Sequence, residues 1–391
     1  ENQGIFKMDW QISQDHQLFG RFINTTTFWN PPYADNKNLL STSLGGRDSD
    51  AQSLAIGDTM VLSSALVNNI RFTYHSSNVH RTNSEFFDLS SLGVRNTYSY
   101  VPKVSLLAVT NSFNLGLGTE FDSYYRPKTY AFSDDLTYVK GAHQWGFGGV
   151  VNLSHWNLNS NVRTVPGFTF DGSATGLPLA DFLTGRVRQF RQSSPFVMDA
   201  TQRNFGVYAQ DTWRLSSNVT MNYGLRYEPW IPQQHQNGHI YSFSIDRFKA
   251  GQRSTVNPNG LPGFTYPGDS GFYGKGGMPA NWKNFQPRVG LSWDPGGDGK
   301  TSIRTGYGLN GDFISGQFFF DSNQAWPFNY EVNAIGTNVT RFDDPWAGLG
   351  RTNPYPVTLG PGLPQVPSGA FIMVPNDLKG TRVHAWNAAF Q

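Results

Sequence analysis

The 391-residue chain is poor in charge and rich in aromatic residues and glycine, since 15% of its residues are charged, 15% are aromatic and 42 are Gly. Average globular proteins carry about 25% charged residues and about 7% Gly, so the composition disfavours a helical protein and favours an all-β one. Without Cys no disulfide scaffold forms, the net charge of +2 gives no electrostatic reason to expect nucleic acid, and no apolar run is long enough for a transmembrane helix.

Apolar and polar residues alternate along paired segments, which is the pattern of β-hairpins. In chain order the pairs are residues 5–12 with 18–26, 54–62 with 66–76, 128–139 with 144–156, 204–210 with 219–228, and 285–294 with 302–309. A further alternating segment over 381–391 predicts the start of an eleventh strand. Asp58 and Asp134 interrupt the alternation, because they fall on faces that should be apolar.

The last two hairpins separate their residues most clearly, because successive side chains of a strand point to opposite faces of a sheet. The residues predicted to share an apolar face are Val219, Met221, Tyr223, Leu225, Leu291, Trp293 and Ile303. The residues predicted to share the opposite, polar face are Asn222, Arg226, Glu228, Arg288 and Arg304.

Short and long connections alternate strictly between these strands. The long connections cover about 27–52, 78–127, 158–203, 229–284 and 311–380, with one short helix predicted near 177–183. Such long connections are uncommon in compact soluble domains, whereas transmembrane β-barrels combine short periplasmic turns with long extracellular loops. The sequence therefore predicts an antiparallel transmembrane β-barrel in a bacterial outer membrane; a secreted β-sandwich, propeller or jelly roll remains the alternative.

In a barrel, the apolar face contacts lipid and the polar face lines the lumen. We therefore expect the seven apolar residues to contact lipid, with Tyr227 and Trp293 in the interfacial aromatic belt. We expect the five polar residues to form a hydrogen-bond network on the inner wall rather than to contact substrate.

Several segments resemble a known family. Residues 204–228 read Asn-Phe-Gly-Val-Tyr-Ala-Gln-Asp-Thr-Trp-Arg and then Val-Thr-Met-Asn-Tyr-Gly-Leu-Arg-Tyr-Glu, which resembles the barrel hairpin of TonB-dependent outer-membrane receptors. Residues 172–183, 287–301 and 385–387 resemble the Oar-like branch of that family. Members of this branch often carry a carboxypeptidase-regulatory-like domain ahead of the plug.

The resemblance implies a barrel of about 22 strands around a plug. Ten strands and the start of an eleventh would then be part of one barrel domain over 1–391, with the plug and the N-terminal regions outside these residues. The implied partners are outer-membrane lipid, the TonB energy-transducing complex acting through the plug, and a scarce extracellular substrate. The substrate class stays open between oligosaccharide, peptide and metal chelate, and we expect no cofactor.

Two features invite a catalytic or metal-binding interpretation that the sequence does not support. Residues 295–301 end like a nucleotide-binding loop, but Asp294 stands where the pattern needs Gly and a strand pattern follows, so we predict a glycine turn. His235 and His239 lie in a loop without a third metal ligand. Neither a Gly-x-Ser-x-Gly elbow nor a Cys nucleophile exists, so no catalytic, cofactor or metal residue is predicted and the protein is not expected to be an enzyme.

Aromatic residues of the long loops are the candidates for substrate contact, because flat rings stack on sugars or peptides. They are Trp29, Tyr33, Tyr98, Tyr100, Tyr124, Tyr125, Trp230, Tyr266, Tyr273, Trp282, Trp326 and Tyr355. For any one of them, packing within the large loop is the favoured explanation. The predicted function is active transport across the outer membrane; a secreted carbohydrate-binding or hydrolytic protein and a passive porin or surface adhesin are the alternatives.

Overall fold

The computed structural model describes residues 1–38, 45–116, 120–314, 316–336, 340–360, 363 and 374–391. The strands, in chain order, are β1 (Asn2–Ser13), β2 (His16–Trp29), β3 (Arg47–Ser63), β4 (Leu66–Arg81), β5 (Leu106–Val109), β6 (Phe113–Leu115), β7 (Ser123–Lys140), β8 (His143–Ser160), β9 (Gly167–Phe170), β10 (Gln189–Ser193), β11 (Phe196–Ser216), β12 (Val219–Tyr227), β13 (Gln234–His235), β14 (Ser242–Phe243), β15 (Phe264–Thr265), β16 (Phe285–Trp293), β17 (Ile303–Gly311), β18 (Glu331–Ile335) and β19 (Arg382–Phe390).

The helices are short. They are α1 (Pro32–Asn36), α2 (Pro178–Leu183), α3 (Ile245–Lys249), α4 (Gly316–Ser322) and α5 (Pro345–Gly348), with one 3-10 turn at Leu89–Leu92. The predicted helix near 177–183 corresponds to α2, where Pro178 occupies the first turn, a position that tolerates the missing N–H. None of the helices in the described parts of the chain has the length and apolar character needed to cross a membrane.

One antiparallel sheet dominates the structure and confirms the all-β prediction. Its eleven long strands, which we call the wall, follow the order β1-β2-β3-β4-β7-β8-β11-β12-β16-β17-β19, and β13 pairs with β11 beside this path. Each wall strand pairs with the wall strands before and after it in the chain, so the wall is a continuous meander. Among the described residues β1 and β19 do not pair with each other, and the sheet is open.

The alternation of short and long connections is present in the structure. Short turns at 14–15, 64–65, 141–142, 217–218 and 294–302 join the wall strands in pairs at one end. The long connections lie at the other end, because successive connections of an antiparallel meander emerge at opposite ends.

The wall strands extend further into the first three long connections than we predicted. These three shrink to 30–46, 82–122 and 161–195, whereas the last two, 228–284 and 312–381, lie within one residue of the predicted bounds. As a consequence, Trp29, Tyr124 and Tyr125 lie in strands and not in loops. The predicted boundaries were wrong because polar residues interrupt the alternation at the strand ends while backbone pairing continues.

The register of the wall gathers apolar side chains into rows on one face. Across four neighbouring strands, Phe72 pairs with Phe132, Phe132 with Val151, and Val151 with Phe205. Phe132 and Val151 remain 49% and 47% exposed. A contiguous exposed apolar surface of this kind marks a membrane or protein contact rather than a soluble exterior.

The long connections fold into a second layer, which we call the loop layer. Strands β5, β6, β9, β10 and β18, contributed by three different connections, form a five-stranded sheet in the order β18-β10-β9-β5-β6. A core of residues such as Phe170, Phe190, Val332 and Trp346 packs against this sheet. A second core joins the β12–β16 connection to the β17–β19 connection, with Tyr241 and Phe319 among its fully buried members.

If the apolar face contacts lipid, a charge in the middle of its row should be costly. We expect Val151→Arg in the full-length protein to lower the free energy of unfolding in phospholipid vesicles by about 2–4 kcal/mol. Asn152→Arg, one residue further along β8 and therefore on the opposite face, is the matched control and should change it by less than about 1 kcal/mol. Urea titration followed by tryptophan fluorescence measures both, and equal losses would contradict the assignment of faces.

Candidate functional site

The residues predicted for the apolar face do share one face of the wall. Strand pairing sets Val219 beside Trp293, Met221 beside Leu291, and Trp293 beside Ile303. Two further members of the set lie on the same face, since Tyr223 and Leu225 follow Met221 at every second position of β12. The exposed fractions of Leu225 and Trp293 are 47% and 41%, so this face has no protein covering it among the described residues.

The residues predicted for the polar face lie on the opposite side of the same strands. Arg226 Nε donates to Glu228 Oε2 at 2.7 Å, and the Thr212 hydroxyl donates to Asn222 Oδ1 at 2.8 Å. Arg304 Nε donates to the Ser302 hydroxyl oxygen at 3.2 Å, while Arg288 extends from the exposed part of β16. The face is therefore a wet surface with local hydrogen bonds.

A polar cluster on this face depends on two glycines of the wall. The Tyr208 hydroxyl donates to Asp135 Oδ1 at 2.6 Å across β8, directly over Gly148. A Cβ at Gly148 would lie 2.5 Å from the Tyr208 ring carbon Cε1. A Cβ at Gly206 would lie 2.6 Å from the Arg226 guanidinium. The glycine-rich stretch of β8 and β11 thus gives these side chains room to lie flat on the wall.

The two carboxylates that interrupted the alternation are on the apolar face, as the sequence indicated. His16 Nε2 lies 2.7 Å from Asp58 Oδ1, and Asn68 Nδ2 donates to Asp134 Oδ1 at 2.5 Å. A third carboxylate on this face is Asp211. Its Oδ2 lies 2.6 Å from His143 Nδ1 and accepts a hydrogen bond from the Tyr223 hydroxyl at 2.8 Å. Donors from the neighbouring strand lower the cost of placing a carboxylate on an apolar surface.

The loop aromatics divide into three groups by burial. Three are open to a ligand, since Trp29 is 56%, Tyr273 48% and Trp282 55% exposed. Five others are partly buried and have protein partners. Tyr33 packs edge-on against Phe86, and Tyr98 and Tyr100 pack edge-on against each other. Tyr124 stacks on His80, and the Tyr125 hydroxyl donates to Glu120.

The remaining four candidates are interior residues of the loop layer, so their proposed contact with substrate is not supported. Trp230, Tyr266 and Trp326 belong to one apolar core, and Tyr355 belongs to the other. The Trp326 indole donates to the Leu363 carbonyl at 3.0 Å, and the Tyr355 hydroxyl donates to the Gln192 carbonyl at 2.8 Å. Sequence alone gave no signal for this burial, because the partners come from distant loops.

We describe two of the cavities in the loop layer. The larger, about 730 Å³, lies between α2, the 3-10 turn and residues 340–343, and both Leu92 and Leu183 line it. Arg341 donates two hydrogen bonds to Asp343 at this cavity, which hold the pKa of the Asp343 carboxyl below its usual range. The smaller, about 250 Å³, lies between the β12–β16 and β17–β19 connections.

The predicted glycine turn is present. The Asp294 carboxylate accepts from the backbone N–H groups of Gly297 and Gly299 at 3.0 and 2.8 Å, and β17 follows as a strand. A phosphate-binding loop would open a helix at this point, so the segment is a connection between strands.

His235 and His239 occupy different environments. His235 is completely buried and lies beside the ring of Phe319, and burial lowers the pKa of His235 to about 4. His239 stacks on Phe328 at 4.8 Å, and its Nδ1 lies 3.0 Å from the Val197 carbonyl oxygen. The residues that the structure describes contain no group of three or more potential metal ligands.

Adding a methyl group beneath the polar cluster should disrupt it. We expect Gly148→Ala to displace Tyr208 from Asp135 and to lower the free energy of unfolding by about 1–3 kcal/mol. Gly290→Ala is the matched control, because its nearest neighbour, the Thr305 carbonyl oxygen, would lie 3.4 Å from the new Cβ, and it should stay within about 0.5 kcal/mol of the wild type. Denaturant titration of both variants tests this, and a neutral Gly148→Ala would refute the role of the glycine.

The buried neutral His235 should make the protein less stable in acid. Below its ordinary pKa of about 6.5 the histidine of the unfolded chain binds a proton, whereas the folded ring stays neutral down to about pH 4. Protons therefore favour the unfolded state, and stability should fall as the pH falls from 6.5 towards 4. We expect His235→Phe to reduce this slope in unfolding experiments between pH 7.5 and 4.5; an unchanged slope would contradict the assignment.

Comparisons with known proteins identify the family of the chain. No curated protein is significantly similar in sequence. Solved structures that the chain resembles include the copper transporter OprC, with 11% identity over 80% of this chain and 37% of that one at a TM-score of 0.43. The ferric yersiniabactin uptake receptor FyuA from Yersinia pestis has 9% identity over 79% of this chain and 37% of that one at a TM-score of 0.40.

The ferric-catecholate import receptor Fiu from K12 E. coli has 11% identity over 99% of this chain and 45% of that one at a TM-score of 0.40. The chain thus spans less than half the length of these three structures. A family model described as an outer membrane beta barrel domain matches all of residues 1–391. The chain therefore belongs to the outer membrane beta barrel domain family, and its place in the cell is the outer membrane.

Proposed function

We propose that the chain supplies wall strands and extracellular loops to a TonB-dependent active transporter of the Oar-like branch. Membership of an outer-membrane barrel family sets aside the secreted soluble alternative. The observation that carries the proposal is the β11–β12 hairpin, whose residues resemble those of TonB-dependent receptors. In the wall, β11 pairs with β8 on one side of this hairpin and β12 pairs with β16 on the other.

In this proposal the apolar face contacts lipid and the polar face lines the lumen. The exposed row through Phe132 and Val151 supports the first assignment. The second is supported by the hydrogen-bonded polar side chains around Tyr208 and Arg226, which suit contact with water and with a plug. The five short turns are then periplasmic and the loop layer extracellular.

The loop layer captures the substrate before transport. The exposed aromatics Tyr273 and Trp282 of the layer, with Trp29 at the adjoining end of β2, offer flat rings to a ligand, and the two cavities offer concave surfaces. The apolar cores hold the loops in place before a ligand arrives. Binding therefore costs less conformational entropy, because the loops are already ordered. Transport itself needs a plug and its contact with the TonB complex, which we expect in the full-length protein outside residues 1–391.

Energy dependence tests this proposal directly. Cells that express the full-length gene should accumulate the substrate identified by a growth screen, and they should lose that uptake when TonB is deleted or when a protonophore collapses the proton gradient. Deleting the transporter gene alone should have the same effect on uptake of this substrate.

A porin gives a different result in the same experiment. Passive diffusion through an open barrel persists without TonB and rises linearly with external substrate concentration. Uptake that is insensitive to TonB deletion would therefore refute active transport and would favour the porin alternative, while membrane localisation without any uptake would favour an adhesin.

A further inference from the structure

Four exposed cations lie on the apolar face of the wall, beyond its apolar rows and at the end that carries the loop layer. They are Arg126 and Lys128 of β7, Arg203 of β11 and Lys275 of the β12–β16 connection, and we call them the cation patch. We propose that the cation patch binds the phosphate groups of a lipid headgroup in the outer leaflet of the membrane. This inference rests on the orientation of the wall in the proposed function and does not depend on transport.

The alternation of side chains places three of the cations on the apolar face. On β7, Arg126 and Lys128 lie at every second position before Phe132, a member of the exposed apolar row. On β11, Arg203 lies two positions before Phe205 of the same row. Successive side chains of a strand alternate between faces, and β7, β8 and β11 pair here without a register shift. The three cations therefore share the face of the apolar row.

Lys275 adds a fourth cation from the loop layer. Gln236 Nε2 donates to the Thr201 hydroxyl at 2.8 Å, and Gln236 Oε1 accepts from Lys275 Nζ at 2.8 Å. Thr201 pairs with His155, and His155 pairs with Lys128, so these residues form one row across β11, β8 and β7. The Lys275 ammonium is thus held at the end of the row that contains Lys128.

Two pairs of aromatic side chains indicate the depth of the cation patch in the membrane. The ring centroids of Tyr74 and Tyr130 are 5.1 Å apart, and those of Tyr138 and Trp145 are 5.5 Å apart. The stretch of β7 between Tyr130 and Tyr138 is about 26 Å long, and aromatic girdles border the apolar band of a barrel, roughly 25 Å tall, at both interfaces. Lys128 lies about 7 Å beyond Tyr130 along the strand, at the level where lipid headgroups begin.

The positive charge of the cation patch is not neutralised by neighbouring carboxylates. Among the described residues none of its four cations forms a salt bridge. Two carboxylates at this end of the wall are bound by histidines instead, since Asp199 Oδ1 lies 2.7 Å from His155 Nε2 and Asp122 Oδ1 lies 3.0 Å from His80 Nε2. The cations are therefore available to an anion from outside the chain.

Arg126 is held in a fixed position by its neighbours. Its guanidinium carbon lies 4.7 Å from the centre of the Tyr124 ring, which stacks on His80 at 4.2 Å. Arg126 Nε donates to Asn78 Oδ1 at 3.2 Å, and its two Nη atoms have no acceptor among the described residues. A guanidinium fixed in this way binds phosphate oxygens with little further loss of side-chain entropy.

The cation patch ends at β3. Asp48 and Asp50 lie on the same face of β3, where they pair with His80 and Asn78 of β4. These carboxylates repel a phosphate, so we confine the site to β7, β8, β11 and Lys275.

The position of the cation patch favours a lipid over a soluble anion. A lipid whose phosphate contacts Lys128 lays its acyl chains along the exposed side chains of Phe132 and Val151 on the same face. A soluble anion would contact the cations alone and would leave the apolar row uncovered. Lys128 and Arg203 are separated by two strand spacings and one row, about 12 Å between backbones, so the cation patch has room for more than one phosphate.

The test is lipid binding to purified full-length protein in neutral maltoside micelles, measured by calorimetry without any energy source. The probes are diphosphoryl lipid A, the same lipid after removal of its phosphates, and inorganic phosphate at constant ionic strength. We expect diphosphoryl lipid A to bind at least tenfold more tightly than the dephosphorylated lipid, and we expect no binding of inorganic phosphate.

Variants of β7 assign the binding to the cation patch. Lys128→Gln should weaken the binding of diphosphoryl lipid A about fivefold, and Arg126→Gln combined with it about 25-fold, because each cation at an anionic lipid surface contributes roughly a factor of five. Lys128→Arg keeps the charge and should bind like the wild type. Lys140→Gln is the matched control, since Lys140 is an exposed lysine on the same face of β7 at its other end, and it should leave binding unchanged.

Three results would each overturn the proposal. They are equal binding of the dephosphorylated lipid, equal losses for Lys128→Gln and Lys140→Gln, and binding of inorganic phosphate as tight as that of the lipid, which would indicate a site for soluble anions. Because no transport is measured, a loss of the transporter proposal in the uptake experiment would leave these binding results intact.

Discussion

The backbone pairing of the wall is the constraint on which the rest of the structure depends. Inside a membrane no water is available to unpaired N–H and C=O groups, so each strand must satisfy its backbone with its neighbours. Pairing then forces successive side chains onto opposite faces, and the alternation of apolar and polar residues gives the wall one apolar and one polar face. The row Phe72, Phe132, Val151 and Phe205 exists because four strands keep this register together.

The polar face shows a consequence of the same pairing. Strands of a sheet lie close together, so a long polar side chain can reach across one strand only where that strand has no side chain of its own. Gly148 and Gly206 provide such places beneath Tyr208 and Arg226. The many glycines of the wall therefore have a packing reason as well as a role in turns, and the hydrogen bond between Tyr208 and Asp135 links β11 to β7 across the intervening β8.

The loop layer has a packing of its own, separate from that of the wall. The long connections carry backbone groups and apolar side chains that lie outside the wall, and these form a five-stranded sheet and two apolar cores. This packing explains why so many aromatics lie in the loops without being available to a ligand. It also creates concave surfaces between connections.

The sequence by itself determined the all-β class, the order and number of the wall strands, the strict alternation of short and long connections, and the face on which Val219 or Arg226 lies. These features follow from local rules, since alternation and turn residues act within a few positions of the chain. Only the tertiary structure decided that Trp230, Tyr266, Trp326 and Tyr355 are interior, that Asp58 lies beside His16 and Asp134 accepts from Asn68 of a neighbouring strand, and that residues from two loops enclose a cavity. Such contacts join segments far apart in the chain, and no local pattern specifies which distant partner a side chain will meet.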